Sequence, residues 1–197
     1  STLFPYTTLF RSVMKLLLSF AIPMVLTQLL QQLYSAVDLM IIGRYVGSVG
    51  TVAVASGSEL TDFMTLVAAS VSTGAQIYIS QLAGAKDEKN LKSAVGTTLT
   101  VLLGMSVLVM IAALLFHNAF LRMLNCPPEA MEEAAAYMMV TAAALPFVFG
   151  YNGISATLRG MGESKKPLLF VAVAASVNIA ADWIFVAVFH LSALGTA

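Results

Sequence analysis

Five long apolar runs, joined by short polar connections, leave this chain few folds to choose from. They fall at residues 16–42, 52–82, 93–116, 134–158 and 167–189. A helix crosses the hydrocarbon core of a bilayer in about 20 residues, and each run exceeds that, so tilt or extension beyond the lipid is expected. Inside lipid no water can bond the backbone, so only helices and closed barrels span it. None of the runs alternates strictly between apolar and polar residues, which argues for helices. The expected fold is an all-α integral membrane protein with five transmembrane helices. Composition agrees, since 10% of the residues are charged against about 25% in an average soluble domain.

The connections set the orientation. Lys15, Lys86, Lys89, Lys92, Arg159, Lys165 and Lys166 fall on one side of the membrane, and only Arg44 and Arg122 on the other. Lysine and arginine concentrate in cytoplasmic loops, so the N-terminus is expected in the cytoplasm of a multi-pass protein of the plasma or inner membrane. Residues 1–12, STLFPYTTLFRS, resemble the translation of a short-read sequencing adapter and are set aside as a scar, leaving 13–197 as the expected partial N-terminal lobe. After the fifth run the chain reads HLSALGTA and stops, which reads as a cut end.

Two carboxylates stand inside the runs. Asp38 lies in the outer half of the first, with Tyr34, Gln31 and Thr27 at i−4, i−7 and i−11, on the same helical face. That face is polar through much of the membrane, so protein or water must cover it. Asp182 lies in the fifth run, with Asn178 one turn before it. Both runs travel from inside to outside, and the two acids fall at similar depth. An ionisable group at membrane depth costs about 2.5–3.5 kcal/mol on insertion scales and marks a functional site by default. If the first and fifth helices are neighbours, Asp38, Asn178 and Asp182 form one cluster. Two acids in one dry site cannot both ionise cheaply, which makes one of them a proton carrier. The same oxygens are also hard ligands suited to sodium. A plain interhelical hydrogen bond is the alternative. Glu59 and Asp62, spaced i,i+3 near the outer start of the second run, are candidates for lining a mouth that attracts cations, or for a wetted helix end.

Several functions are excluded by what the chain lacks. It has no phosphate-binding G-x-x-x-x-G-K-[ST] loop, no H-E-x-x-H pair and no cysteine–histidine cluster, and its one cysteine, Cys126, has no internal disulfide partner. No basic stripe suits nucleic acid. No enzyme, cofactor or structural metal is expected, beyond a possible sodium ion at the carboxylates.

Four segments together resemble the MATE (multidrug and toxic compound extrusion) transporters. AIPMVLTQLLQQLYSAVDLMIIGRYVG at 21–47 is similar to the family's first helix, and TGAQIYISQLAGAKDEKNLK at 73–92 to the end of the second and its loop. LRGMGESKKP at 158–167 is similar to the loop between the fourth and fifth helices, and NIAADWIFV at 178–186 to the fifth. The resemblance implies a twelve-helix protein of two lobes, of which this chain is part of the first, so that the missing second lobe of the same polypeptide is its partner. It implies a secondary active antiporter that exports cationic lipophilic drugs or toxins in exchange for protons or sodium. It carries the cation-site role onto Asp38, Asn178 and Asp182. Two rivals stand beside it: a lipid-linked precursor flippase of the same broad group, and a non-transporting membrane assembly subunit.

Overall fold

The computed structural model describes residues 5–45 and 47–188, with side chains described for 13–41, 43–44, 48–181 and 183–185. Five helices carry the chain: α1 (Pro5–Tyr45), α2 (Gly47–Gly84), α3 (Glu88–Met123), α4 (Met131–Gly160) and α5 (Lys165–Asp182). All five are long and apolar enough to cross a membrane, so the expected all-α membrane fold is what the chain adopts. A 3-10 turn, Pro128–Ala130, leads into α4.

The helices overrun the apolar runs at most ends. α1 continues through Gly43 and Arg44 to Tyr45 and α2 begins at Gly47, so most of the stretch GRYVGSVG, expected as a connection, is helical. α3 likewise runs past His117 to Met123. Hydropathy marks where lipid ends, whereas the i→i−4 bonds continue into the interface, where polar side chains meet water. The fifth run departs in the other direction. Its α-helix ends at Asp182 and widens into a π-helix over Trp183–Val188, where a single continuous helix to 189 was expected. Residue 189 itself lies outside the described residues.

Three helices end in the same way. A residue in the left-handed region follows each: Lys86 (φ 57°), Asn125 (φ 55°) and Gly162 (φ 86°). The next N–H then reaches back five residues, as Asp87 N to Leu82 O, Cys126 N to Leu121 O and Glu163 N to Leu158 O. This double-bonded cap satisfies carbonyls that the helix leaves open. At α3 the opposite end is also closed, by Asp87, whose carboxylate accepts from Asn90 N at 3.1 Å.

α4 is the centre of the bundle. It packs most extensively on α2 and next on α3, while α1 packs chiefly on α5. Leu102, Leu121, Ala134, Leu145 and Phe149 are completely enclosed where these helices meet. Two glycines set how closely α2 and α4 approach, one near each end of their contact. A Cβ on Gly57 of α2 would stand 3.0 Å from Ala134 O, and one on Gly160 of α4 would stand 2.9 Å from Gln76 O. With no hydrophobic force between helices in lipid, such backbone proximity is how they gain dispersion contacts. Hydroxyls inside the spans mostly return to their own helix: those of Thr65, Thr98 and Thr157 donate to the carbonyls four residues earlier at 2.8–2.9 Å. Thr61 Oγ1 instead crosses to Thr141 Oγ1, 3.1 Å away, linking α2 to α4.

Candidate cation site and polar cleft

The polar face of α1 is the face the fold covers. Thr27 is buried, and Gln31, Tyr34 and Asp38 are half-buried on the same side, while Leu29, Leu33, Leu39 and Met40 are exposed. From Ser164, which precedes α5, the buried residues continue along the helix at Pro167, Val171 and Ala175, spaced three and four apart. Asn178 falls three residues further on, half-buried and in line with that stripe, and Asp182 follows one turn later on the backbone. The side chain of Asp182 lies outside the described residues.

α1 and α5 pack against each other, which is the condition on which a shared site depended. Each brings to the site a buried oxygen with no hydrogen-bond partner, Asp38 Oδ1 and Asn178 Oδ1. A buried acceptor left unmade costs about 1–3 kcal/mol, more if charged. The two acceptors lie on helices that pack together, and each is an oxygen that a cation or a proton would satisfy. Tyr34 lies within electrostatic reach of Asp38 on its own helix, of Asp62 on α2 and of Tyr151 on α4. Asp62 and Glu59 are both exposed.

Below this group lies a cleft. α1 and α4 do not pack together among the described residues, and the space between them, about 360 Å³, is lined by Thr27, Gln28, Gln31, Thr73, Gln76, Tyr151, Asn152 and Arg159, among others. Pockets for small organic molecules start at about 300 Å³. Thr27 and Gln31, on the polar face of α1, are thus part of the cleft wall. The hydroxyl of Thr27 donates to Pro23 O at 2.7 Å. Arg159 donates from Nε to Gln76 Oε1 at 2.9 Å, tying α4 to α2 across the cleft wall. The sequence reading treated Arg159 only as an interfacial cation and passed over Gln76, Tyr151 and Asn152. The available signal was the amides: Gln76 and Asn152 each interrupt an otherwise apolar or small-residue stretch. Among the described residues no group of three or more His, Cys, Asp or Glu could hold a metal ion.

Known proteins share this architecture. The chain is 33% identical over 161 residues to the probable multidrug resistance protein YoeA of Bacillus subtilis (strain 168), covering 82% of this chain and 35% of that protein. It is 31% identical over 188 residues to the probable multidrug resistance protein YpnP of the same organism, covering 94% of this chain and 42% of that one. The chain therefore spans well under half the length of the curated relatives it matches. Among solved structures, a crystal structure of MATE in complex with MaD3S superposes with a TM-score of 0.87 at 24% identity, over 92% of this chain and 41% of that one, which shows the fold. The MatE family model matches residues 23–184, from the proline in α1 to just beyond Asp182, so that both carboxylates, the cleft and the α1–α5 pairing fall inside it, and the chain belongs to the MatE family.

Proposed function

We propose that this chain forms part of the first lobe of a secondary active antiporter that exports cationic lipophilic compounds in exchange for protons or sodium. The observation that carries the reading is the pair of buried, unpartnered oxygens, Asp38 Oδ1 and Asn178 Oδ1, on two helices that pack together. In this mechanism Asp38, Asn178 and Asp182 take the coupling ion from outside, and the cleft between α1 and α4 takes the organic compound from inside. Occupying the carboxylates discharges the site and releases the exported cation, and rocking of the lobes alternates access. If one proton exchanges for one monovalent cation, the membrane potential does no net work, and the pH difference alone drives export. Thr27, Gln31 and Tyr34 line the route between the two levels, and Glu59 and Asp62 draw cations to the outer mouth. The N-terminus is cytoplasmic in this scheme.

The test is dye efflux by the complete transporter that carries this segment. Asp38→Asn is expected to cut ethidium efflux at least tenfold at normal expression. Undiminished efflux would sink the role given to Asp38.

One observation favours a second reading. Arg159 lines the cleft, and a cation there suits an anionic substrate such as a lipid-linked pyrophosphate. That flippase reading expects Arg159→Gln to abolish transport and Asp38→Asn to leave it intact, the reverse of the antiporter pattern. The assembly-subunit reading expects Asp38→Asn to change folding and no flux.

A further inference from the structure

Ser164 precedes α5 and is 5% exposed, yet its hydroxyl makes no capping bond to the helix it starts. It stands between two concavities. One is the cleft, which Arg159 also lines; the other is a crevice of about 460 Å³ lined by Leu16, Leu17, Ser19, Phe20, Glu163 and Lys165, among others. This crevice has two unlike walls. Leu16 and Leu17 of α1 are exposed and apolar, while the opposite wall is the polar turn between α4 and α5. Three cations stand at that turn: Arg159, Lys165 and Lys166. One carboxylate opposes them, Glu163, and it is already engaged, with Lys166 Nζ 3.8 Å away and Lys165 N donating to its Oε1 at 3.2 Å. Lys165 has no ion-pair partner among the described residues, and Arg159 spends its Nε on the neutral Gln76.

A polar turn with surplus positive charge, a mostly buried serine that makes no capping bond and an apolar wall open to lipid together match one kind of ligand. We propose that this crevice binds one anionic phospholipid, its headgroup phosphate held at Ser164 between Lys165 and Arg159 and an acyl chain along Leu16, Leu17 and Phe20. Basic pockets between transmembrane helices hold anionic headgroups in this way, and each nearby cation adds roughly a fivefold preference. Bound there, the lipid would join α1 to the α4–α5 turn, a place where the protein itself supplies little packing. The inference goes beyond the antiport reading and is tested without transport.

The experiment is native mass spectrometry of the complete transporter that carries this segment, released from nanodiscs of equal phosphatidylglycerol and phosphatidylcholine. The expected result is one retained phosphatidylglycerol, favoured about tenfold over phosphatidylcholine, with the preference cut about fivefold in Lys165→Gln and in Arg159→Gln. Lys165 is exposed, so its variant keeps the fold even if loss of the Arg159–Gln76 bond disturbs it. Lys89→Gln, at the same end of the bundle but outside the crevice, should leave the preference unchanged. Equal retention of both lipids, or an equal loss in Lys89→Gln, would overturn the proposal. So would displacement of the lipid by millimolar inorganic phosphate, which would mark a site for the free anion.

Discussion

On α2, α3 and α4 the enclosed side chains are mostly apolar and interlock, with Phe149, Leu102, Leu121 and Leu145 almost wholly hidden. On α1 the only buried side chains among those described are Pro23 and Thr27, and the half-buried ones include Gln31, Tyr34 and Asp38. The first region is a frame held by apolar interlocking, although Ser72 Oγ, Glu133 Oε2 and Ser155 Oγ are buried in it without a hydrogen-bond partner. The second is a pair of helices, α1 and α5, each carrying one buried oxygen without a hydrogen-bond partner. Lipid accepts the outer faces of both regions equally well, so the difference lies wholly in their inner faces. A frame closed by apolar packing can stay fixed, while under the proposed function the α1–α5 pair changes its stability when a proton or cation arrives.

The sharpest way to test this contrast is to truncate equivalent apolar residues in the two regions. Phe149→Ala should cost about 3 kcal/mol, the low end for such a cavity, because lipid already dehydrates the ring when helices separate. Leu29→Ala, on the exposed face of α1, should cost under about 0.5 kcal/mol. Reversible unfolding in mixed micelles reads both, and similar losses would erase the distinction. Gly160→Ala comes next, since its Cβ would meet Gln76 O and Ile79 Cγ2, and overpacking of this kind costs about 2 kcal/mol. Thermal melting by circular dichroism should show a clear drop.

Asn178→Leu should act in the opposite sense. Removing a buried acceptor that has no partner is expected to be neutral or to stabilise by up to about 1 kcal/mol. It should also remove any rise in melting temperature brought by sodium or by lower pH, and a retained rise would show that the ion binds elsewhere. Lys86→Gly should stabilise the α2 cap by about 1 kcal/mol, because a side chain in the left-handed conformation is strained and glycine is not. The smallest effect expected is Thr141→Val. It removes the acceptor of the Thr61 bond between α2 and α4, and interhelical bonds in membranes average about 0.6 kcal/mol.

The number of helices and the covered face of α1 were legible in the sequence because both rest on local periodicity. Thr27, Gln31, Tyr34 and Asp38 share a face by spacing alone, and no tertiary contact is needed to see that lipid must avoid it. Helix ends were less legible, since hydropathy follows the lipid boundary and α3 continues beyond Phe116 into polar sequence. The cleft was not legible. Gln28, Gln76, Tyr151 and Arg159 come from three helices, and only the gap between α1 and α4 brings them to one surface. The π-helix after Asp182 was equally hidden, because WIFVAV has no residue that distinguishes a wide turn from an ordinary one.

The sparse inner face of α1 has a consequence for how the protein is made. Its chief partner, α5, begins at Lys165, 120 residues after Tyr45. At about 5–20 residues per second, synthesis of that interval takes roughly 6–24 seconds. For that time α1 stands in the bilayer with its amides and Asp38 largely bare, while α2, α3 and α4 emerge and close on one another. The two helices thus meet after α2, α3 and α4 have closed on one another, and a ribosome pause before Lys165 would lengthen the interval in which α1 is open to wrong partners.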